Sequence, residues 1–555
     1  MPAPKTYQPV VPKRKAGAFE ATALVGTHSA ILGWTMDEKA DRKNLLGFGI
    51  RRTDYDRKTG KLIKSDWLPG LKRFEGIKED VKIVGSNEAP FQRFRWNDYT
   101  LRPDKSYTYE IVPVTGKPAK LEHGKPLMVD VFPSPPMADR IGVYFNRGVT
   151  SAMAYLDRFE GKSPEDVKDG EAYTWLSRGL KESLLAFIAD CEKGESLHIC
   201  IYEFFDEDVA QALADRRNEL DIGVVYHSKA GTKAATESKH NIDKHKIAKL
   251  CVARKNTAAI SHNKFAVRLK DGKARSVWTG SSNFSTNAFY FQTNNAMHLD
   301  IPAIAQVYEE YFQVLHADPK PGKVSAAAQF TQDAVAAINA RFIPRPPFSK
   351  AIFSPVRSLD LLDVAGDLIK NAQSCVFVSA PFGMESMLVD VLKKNDPRVL
   401  EYGLVNTTAK KKIDGLVSKH MRFLVPEVLT TYMGRKWDAK AFGQHKIHSK
   451  LIIADPWSKH PRVLVGSSNH SDESCKNNDE NNLLIEGDSR IAAIMATEFM
   501  RMFDHYNSRN FINHMTGKVL DSQKYLIPDG SWSRTAFSPR SDSHKYRDRQ
   551  VFSGG

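Results

Sequence analysis

From residue 20 to about 134, short apolar runs alternate with turn-rich polar stretches, the pattern of an all-β region. Runs at 30–36, 45–51, 91–96, 107–114 and 128–132 predict strands there. From about 140 the pattern changes. Residues 141–145 predict a short strand, 173–191 a helix and 197–204 a buried strand. A helix follows at 206–220, with acids in its first turn that suit the helix dipole, and then a strand at 222–226. The alternation restarts as strand 351–354, helix 359–372, strand 375–380, helix 384–394 and strand 422–425. Such a long internal repeat predicts two copies of one α/β fold packed together. The run 490–506 has helical spacing and predicts a core helix behind the second copy.

Punctuation sets the boundaries. Residues 1–18 are rich in Pro and Lys and predict a flexible tail, and Pro344, Pro346 and Pro347 mark a linker between the copies. The stretch 517–555 is polar yet carries Trp532, Phe537, Tyr546 and Phe552, which predicts a tail that packs back. The expected division is a tail at 1–19, a β-sandwich at 20–136, a first α/β half at 137–341, a second at 349–515 and a C-terminal tail at 516–555. Residues 132–136 are expected to be a free linker, which makes the β region separable. The spacing Leu101-x-Pro103-x-x-x-Tyr107-x-Tyr109-x-Ile111 resembles the tyrosine-corner region of fibronectin type III sandwiches. The alternative is an irregular β-rich extension.

Composition narrows the class. With 555 residues, 41% hydrophobic and net charge +15, the chain is a multidomain globular protein. No apolar run reaches the roughly 18–20 residues of a membrane span. The start, MPAPKTYQPVVPKRKAG, has no apolar core of a signal peptide, so cytoplasmic synthesis is the default expectation, with export lacking a standard signal left open. Cys191, Cys200, Cys251, Cys375 and Cys475 are odd in number and scattered, which excludes a disulfide framework and a close-spaced zinc set. Residues 226–260 carry eight Lys/Arg against two acids, and 406–447 carry nine against three. Two basic stretches suit phosphate-bearing polymers or anionic lipid surfaces without choosing between them.

Each basic stretch ends at the same motif. His262-Asn263-Lys264-Phe265 is followed by Gly280-Ser281-Ser282-Asn283, and His448-Ser449-Lys450-Leu451 by Gly466-Ser467-Ser468-Asn469. The histidines lie 186 residues apart, and each Gly-Ser-Ser-Asn begins 18 residues after its His. His-x-Lys opens an apolar strand in both copies, so alternation puts His and Lys on one side. These residue types fit phosphodiester cleavage without metal or other cofactor. Imidazole serves as nucleophile or acid, Lys supplies fixed positive charge, and Asn and Ser donate to the developing oxyanion.

These residues resemble the HKD motif of the phospholipase D superfamily, over roughly 140–515. The second copy matches in full with His448, Lys450, Asp455, Gly466, Ser467 and Asn469, and continues to Glu480, 14 residues after Gly466. The resemblance implies an α/β fold of two α/β/α halves related by a pseudo-twofold, with one site built from both motifs in a single-chain monomer. It also implies a covalent phosphohistidine. The first copy departs: Leu269 stands where the motif has Asp, and Asn294 where the second copy has Glu480. A tyrosyl-DNA phosphodiesterase branch is similar in lacking the motif Asp. If Asn294 holds His262 and Glu480 holds His448, the amide-held His262 is the nucleophile and the carboxylate-held His448 the general acid.

The expected catalytic set is therefore His262, Lys264, Asn283, His448, Lys450, Asn469, Asp455 and Glu480, with Ser281, Ser467 and Asn294 binding the substrate phosphate and no metal. The resemblance leaves phospholipid and nucleic acid open as substrates, with phospholipid favoured. An inactive phosphate-binding scaffold is the remaining class. His227, His240 and His245 are expected to be exposed, His445 peripheral, and Trp278 and Phe284 core.

Overall fold

The computed structural model describes residues 6–70, 72–77, 83–148, 153–255, 259–318, 326–341, 347–406, 413, 415–426, 431–432, 435–436, 446–513 and 525–554. Two antiparallel sheets form the N-terminal region. One runs in the order Val10–Ala16, Phe19–Val25, Ala30–Met36, Arg95–Asp98. The other runs Lys120–His123, Lys105–Lys117, Leu45–Asp56, Leu62–Trp67, and Leu127–Val131 also pairs with Lys105–Lys117. Trp34, Phe48, Tyr109, Ile111 and Val129 fill the space between them. The Tyr107 hydroxyl accepts from the Arg102 N–H at 2.8 Å.

Three sequence expectations change here. Residues 10–16 are not a flexible tail but an edge strand paired with Phe19–Val25. Pro12, Lys13, Arg14 and Lys15, which read as tail composition, are the residues that protect a sheet edge from further pairing. The strand expected at 91–96 begins only at Arg95, because Phe91 and Phe94 sit in an irregular segment and fill the core. The helix expected at 173–191 is two, Glu171–Ser177 and Leu180–Ala189, broken where Arg178 and Gly179 take φ of 50° and 91°.

The repeat is explicit in the strand order of the two larger sheets. The first reads Met137–Ala138, Ile141–Phe145, Asn295–Leu299, Lys273–Gly280, Lys264–Lys270, Ser196–Ile201, Asp221–His227, Cys251–Arg254. The second reads Phe348–Ser354, Glu480–Glu486, Arg462–Gly466, Lys450–Ala454, Cys375–Ser379, Leu400–Leu404, Met421–Leu424. From Ile141–Phe145 onward each strand has its counterpart, with antiparallel pairs followed by two parallel pairs in both. Alternation sends Phe265 and Val267 into a core shared with Leu451, Ile453 and the helices Pro302–Ala317 and Ser489–Asn513. Ala266 faces the other way, onto the helices Leu180–Ala189 and Glu207–Arg216. The second sheet repeats this, with Ile452 packed against helix Asp360–Lys370.

Residues 132–136 do not act as a free joint. Arg490 donates to Ser134 Oγ at 2.9 Å and to the Pro135 carbonyl at 3.0 Å. Leu24 and Ile31 belong to the same buried cluster as Phe377 and Phe499, and Arg95 grips Asp504 with bonds of 3.0 and 3.1 Å. The C-terminal segment closes the junction. Trp532 stacks on Phe94 and donates to the Leu45 carbonyl at 2.7 Å, while Phe552 is fully buried against Phe377 and Trp457. Among the described residues no helix is long and apolar enough to cross a membrane.

Candidate active site

In each half, His-x-Lys enters a central strand and Gly-Ser-Ser-Asn leaves the neighbouring one; Lys450 pairs directly with Gly466. The motif glycines are sterically required. A Cβ on Gly280 would lie 2.3 Å from the Asn295 carbonyl oxygen, and one on Gly466 would lie 2.2 Å from that of Asn481.

The two motifs meet at a seam of reciprocal backbone bonds. The His262 N–H donates to the Asp479 carbonyl at 2.9 Å, and the His448 N–H to the Thr293 carbonyl at 3.1 Å. Asp479 is fixed by Arg254 through bonds of 2.6 and 2.8 Å, with both side chains at 0% exposure. Breaking so deeply buried a pair would leave an uncompensated charge, so the seam is held rigidly.

At the seam each histidine is oriented by the opposite half. His262 Nδ1 lies 2.9 and 3.1 Å from the Glu480 carboxylate oxygens, and His448 Nδ1 lies 2.8 Å from Asn294 Oδ1. This crosses the pairing expected from the sequence: Glu480 serves His262 and Asn294 serves His448. The physical reason is that the strand after each Gly-Ser-Ser-Asn reaches over the seam. Supporting bonds repeat the symmetry. Ser467 Oγ donates to Glu480 at 2.5 Å, and Ser281 Oγ to Asn294 Oδ1 at 2.9 Å. Asn294 Nδ2 donates to the Ala288 carbonyl at 2.9 Å, which fixes Oδ1 as the acceptor facing His448. Both rings therefore carry their proton on Nδ1 and keep the Nε2 lone pair. Their centroids are 6.5 Å apart.

The electrostatics are those of a site awaiting an anion. Lys264 and Lys450 are fully buried. The Lys264 ammonium bonds the His262 carbonyl, while the Lys450 ammonium has no hydrogen-bond partner among the described residues. Burial pulls Lys264 down to about 7 and Lys450 well below its usual value. Burial, and then the lysine of its own motif, holds each of His262 and His448 well below 6.5, so both are neutral near pH 7. Burial raises the Glu480 carboxyl to about 7 against the opposing pull of Lys264. Asn283 and Asn469 line the cluster, each with a buried Oδ1 that has no hydrogen-bond partner among the described residues. Asn283 Nδ2 donates to Glu203 at 2.9 Å.

Asp455 lies outside this cluster. Its carboxylate accepts from the N–H groups of Gln373, Ser374 and Cys375 at 2.8, 2.7 and 3.1 Å, tying down the start of strand Cys375–Ser379. At the corresponding place in the first half, where Leu269 stands, the turn is closed locally: Glu195 accepts from the Glu192 N–H at 2.8 Å. The missing motif Asp therefore touches none of the reacting groups.

The structure relocates one neighbour expected from the sequence and adds Glu203, Phe382 and His470, which the sequence reading did not single out. His227 is fully buried, contrary to the exposed position expected for it, and its Nδ1 accepts from the Ser261 N–H at 3.1 Å. Glu203 was legible as an acid at the end of an otherwise apolar strand. Phe382, with its ring centroid 6.1 Å from that of His448, is 41% exposed beside the site. His470, next after Asn469, is buried and pushed down to about 4 by desolvation. His240 is exposed, and Trp278 and Phe284 are core. His445 lies outside the described residues. Among the described residues no group of three or more His, Cys, Asp or Glu side chains is arranged to hold a metal ion.

Duplicated sheets that share one His/Lys/Asn cluster define a two-motif protein of the phosphodiester-processing kind. Residues 184–316 and 367–503 match the family model described as cardiolipin synthase, PLD-like domain. The chain belongs to the phospholipase D superfamily, whose members are phosphodiester-acting enzymes. Among solved structures, polyphosphate kinase from Porphyromonas gingivalis is similar at 13% identity and TM-score 0.37, covering 56% of this chain; the match spans 46%, about half, of the kinase. Phosphatidylserine synthase from Haemophilus influenzae is similar at 11% identity and TM-score 0.41, over 63% of this chain and 90% of the synthase. The phospholipase D family member Nuc from Salmonella typhimurium is similar at 20% identity and TM-score 0.21, over 31% of this chain and 91% of Nuc. No curated protein matches.

Proposed function

We propose that this chain is a phosphodiesterase that works through a covalent phosphohistidine on His262, without metal, on phospholipid head groups. The carrying observation is the buried Lys450 ammonium, without a hydrogen-bond partner among the described residues, beside two Nδ1-protonated histidines. A buried ammonium that makes no hydrogen bond is costly, and a phosphodiester monoanion between the histidines satisfies it.

In this reading the His262 Nε2 lone pair attacks phosphorus. The positive charge that develops on the ring is stabilised by Glu480 at Nδ1, as a carboxylate stabilises imidazolium in a catalytic triad. The substrate's negative charge raises the basicity of His448, which takes a proton on Nε2. Held by an amide, His448 remains a strong acid and delivers that proton to the leaving oxygen as the P–O bond breaks. Water then attacks phosphorus and yields its proton to His448, and the P–N electrons return to His262. The roles are those expected from the sequence, but the partners, and so the reasons, are exchanged.

Phospholipid is favoured because the matching family model is described as cardiolipin synthase and because Phe382 offers an exposed apolar contact beside His448. The nucleic-acid reading draws on the excess of lysine in 226–260. A fibronectin III-like reading of the N-terminal region is supported by its two packed antiparallel sheets, of four and five strands, and by the Tyr107 hydroxyl that accepts from the Arg102 N–H. The test is purified full-length protein with EDTA, on mixed phospholipid vesicles and on single- and double-stranded DNA and RNA, with turnover quenched for intact-mass analysis. A phosphoryl adduct on His262 and head-group release are expected. An adduct on His448 reverses the roles, cleavage of nucleic acid alone moves the substrate class, and no activity on any of them without added metal overturns the reading.

A further inference from the structure

Sharing no residue with the His262/His448 cluster, a cavity of about 360 Å³ opens where the N-terminal sheets, the second α/β half and the C-terminal segment meet. Arg93, Arg95, Arg422, His544, Lys545 and Arg549 line it, against a single acid, Asp548. The charges are unevenly satisfied. Arg95 is neutralised by Asp504, and Arg549 by Glu38. Asp548 is engaged by the Tyr402 hydroxyl and lies 3.5 Å from His544 Nε2. Among the described residues Arg422 has only neutral acceptors, Asn507 Oδ1 at 2.7 Å and His544 Nε2 at 3.0 Å. Arg93 and Lys545 make no ion pair among the described residues. Three cations without an acid thus face one cavity, at the N-terminus of helix Lys545–Phe552, whose dipole adds positive potential. A guanidinium left to amide and imidazole acceptors, in a cavity of small-molecule size, is the arrangement that recognises phosphate.

We propose that this cavity is a second anion site, separate from the catalytic seam, which binds a small molecule carrying one or two phosphate groups. The lining comes from residues 92–95, from 422 and 507, and from 544–549. A bound phosphate would therefore bridge the three parts of the chain and hold the C-terminal segment down.

The test is calorimetric titration of full-length protein with inorganic phosphate, pyrophosphate, glycerol 3-phosphate and ADP, with glycerol and adenosine as unphosphorylated controls. At least one phosphorylated probe is expected to fill two sites in the native chain. One site should remain in R93Q/K545Q and one in K264Q/K450Q. Arg93 and Lys545 are exposed, so the first variant keeps its fold, and its catalytic rate without added ligand should be unchanged. Probe binding should slow proteolytic release of the C-terminal segment in the native chain and not in R93Q/K545Q. Equal stoichiometry and affinity in R93Q/K545Q and the native chain overturns the proposal. So does a single site that K264Q/K450Q abolishes. An effect of glycerol or adenosine equal to that of their phosphates also overturns it, as a crevice without phosphate selectivity.

Discussion

Glu480→Gln isolates the charge that supports His262. The substitution keeps volume and one acceptor. Asn478 Nδ2 donates to Oε1 at 3.0 Å and can only donate, so the glutamine oxygen takes that place, still within reach of His262 Nδ1. The new amide NH2 then faces Ser467, whose hydroxyl reverses to accept. What is lost is the negative charge beside a ring that becomes cationic on attack. A charge-assisted bond exceeds a neutral one by about 1–2 kcal/mol, which converts to about a 5–30-fold fall in kcat. Because attack is slowed, a p-nitrophenyl phosphodiester and an alkyl phosphodiester should lose rate by similar factors. Glu480 is raised to about 7 by burial. The rate of the native chain should therefore fall as pH drops through about 7, where the carboxylate is protonated, and E480Q should lack that limb. Steady-state kinetics across pH with both substrates decides. If E480Q spares the p-nitrophenyl substrate and cripples only the alkyl one, Glu480 supports proton donation and the assignment of His262 as nucleophile fails.

His448→Ala should show the complementary split, severe for an alkoxide leaving group and mild for p-nitrophenolate; equal losses on both would refute its role as acid. Asp455→Ala should cost about 3 kcal/mol of stability by orphaning the N–H groups of 373–375, with kcat per folded molecule unchanged; a selective kcat loss at native melting temperature would place Asp455 in the chemistry. Deleting residues 1–136 should give insoluble protein, since it strips apolar cover from the shared core; a soluble truncation with the native melting temperature would show the region to be dispensable.

The duplication and the identity of the groups that meet at the seam were legible in the sequence. His262, Lys264, His448 and Lys450 sit at strand entrances, and strand period and matched spacing are local properties that survive without knowledge of the partner strand. Local composition misled where it reported burial or exposure without geometry. The Lys/Pro run at 12–15 read as a tail because edge strands and tails share the same polar residues, and Phe91 and Phe94 read as strand because core filling needs no regular backbone. Which acceptor holds which histidine was not local at all. Asn294 and Glu480 each follow their own motif in the chain, yet the seam hands each to the other half, and only the reciprocal bonds of His262 to Asp479 and His448 to Thr293 decide that exchange. The same holds for the Arg254–Asp479 pair and for the basic cavity beneath the C-terminal segment. Their members lie hundreds of residues apart, and long-range electrostatic partners are set by packing rather than by any periodicity along the chain.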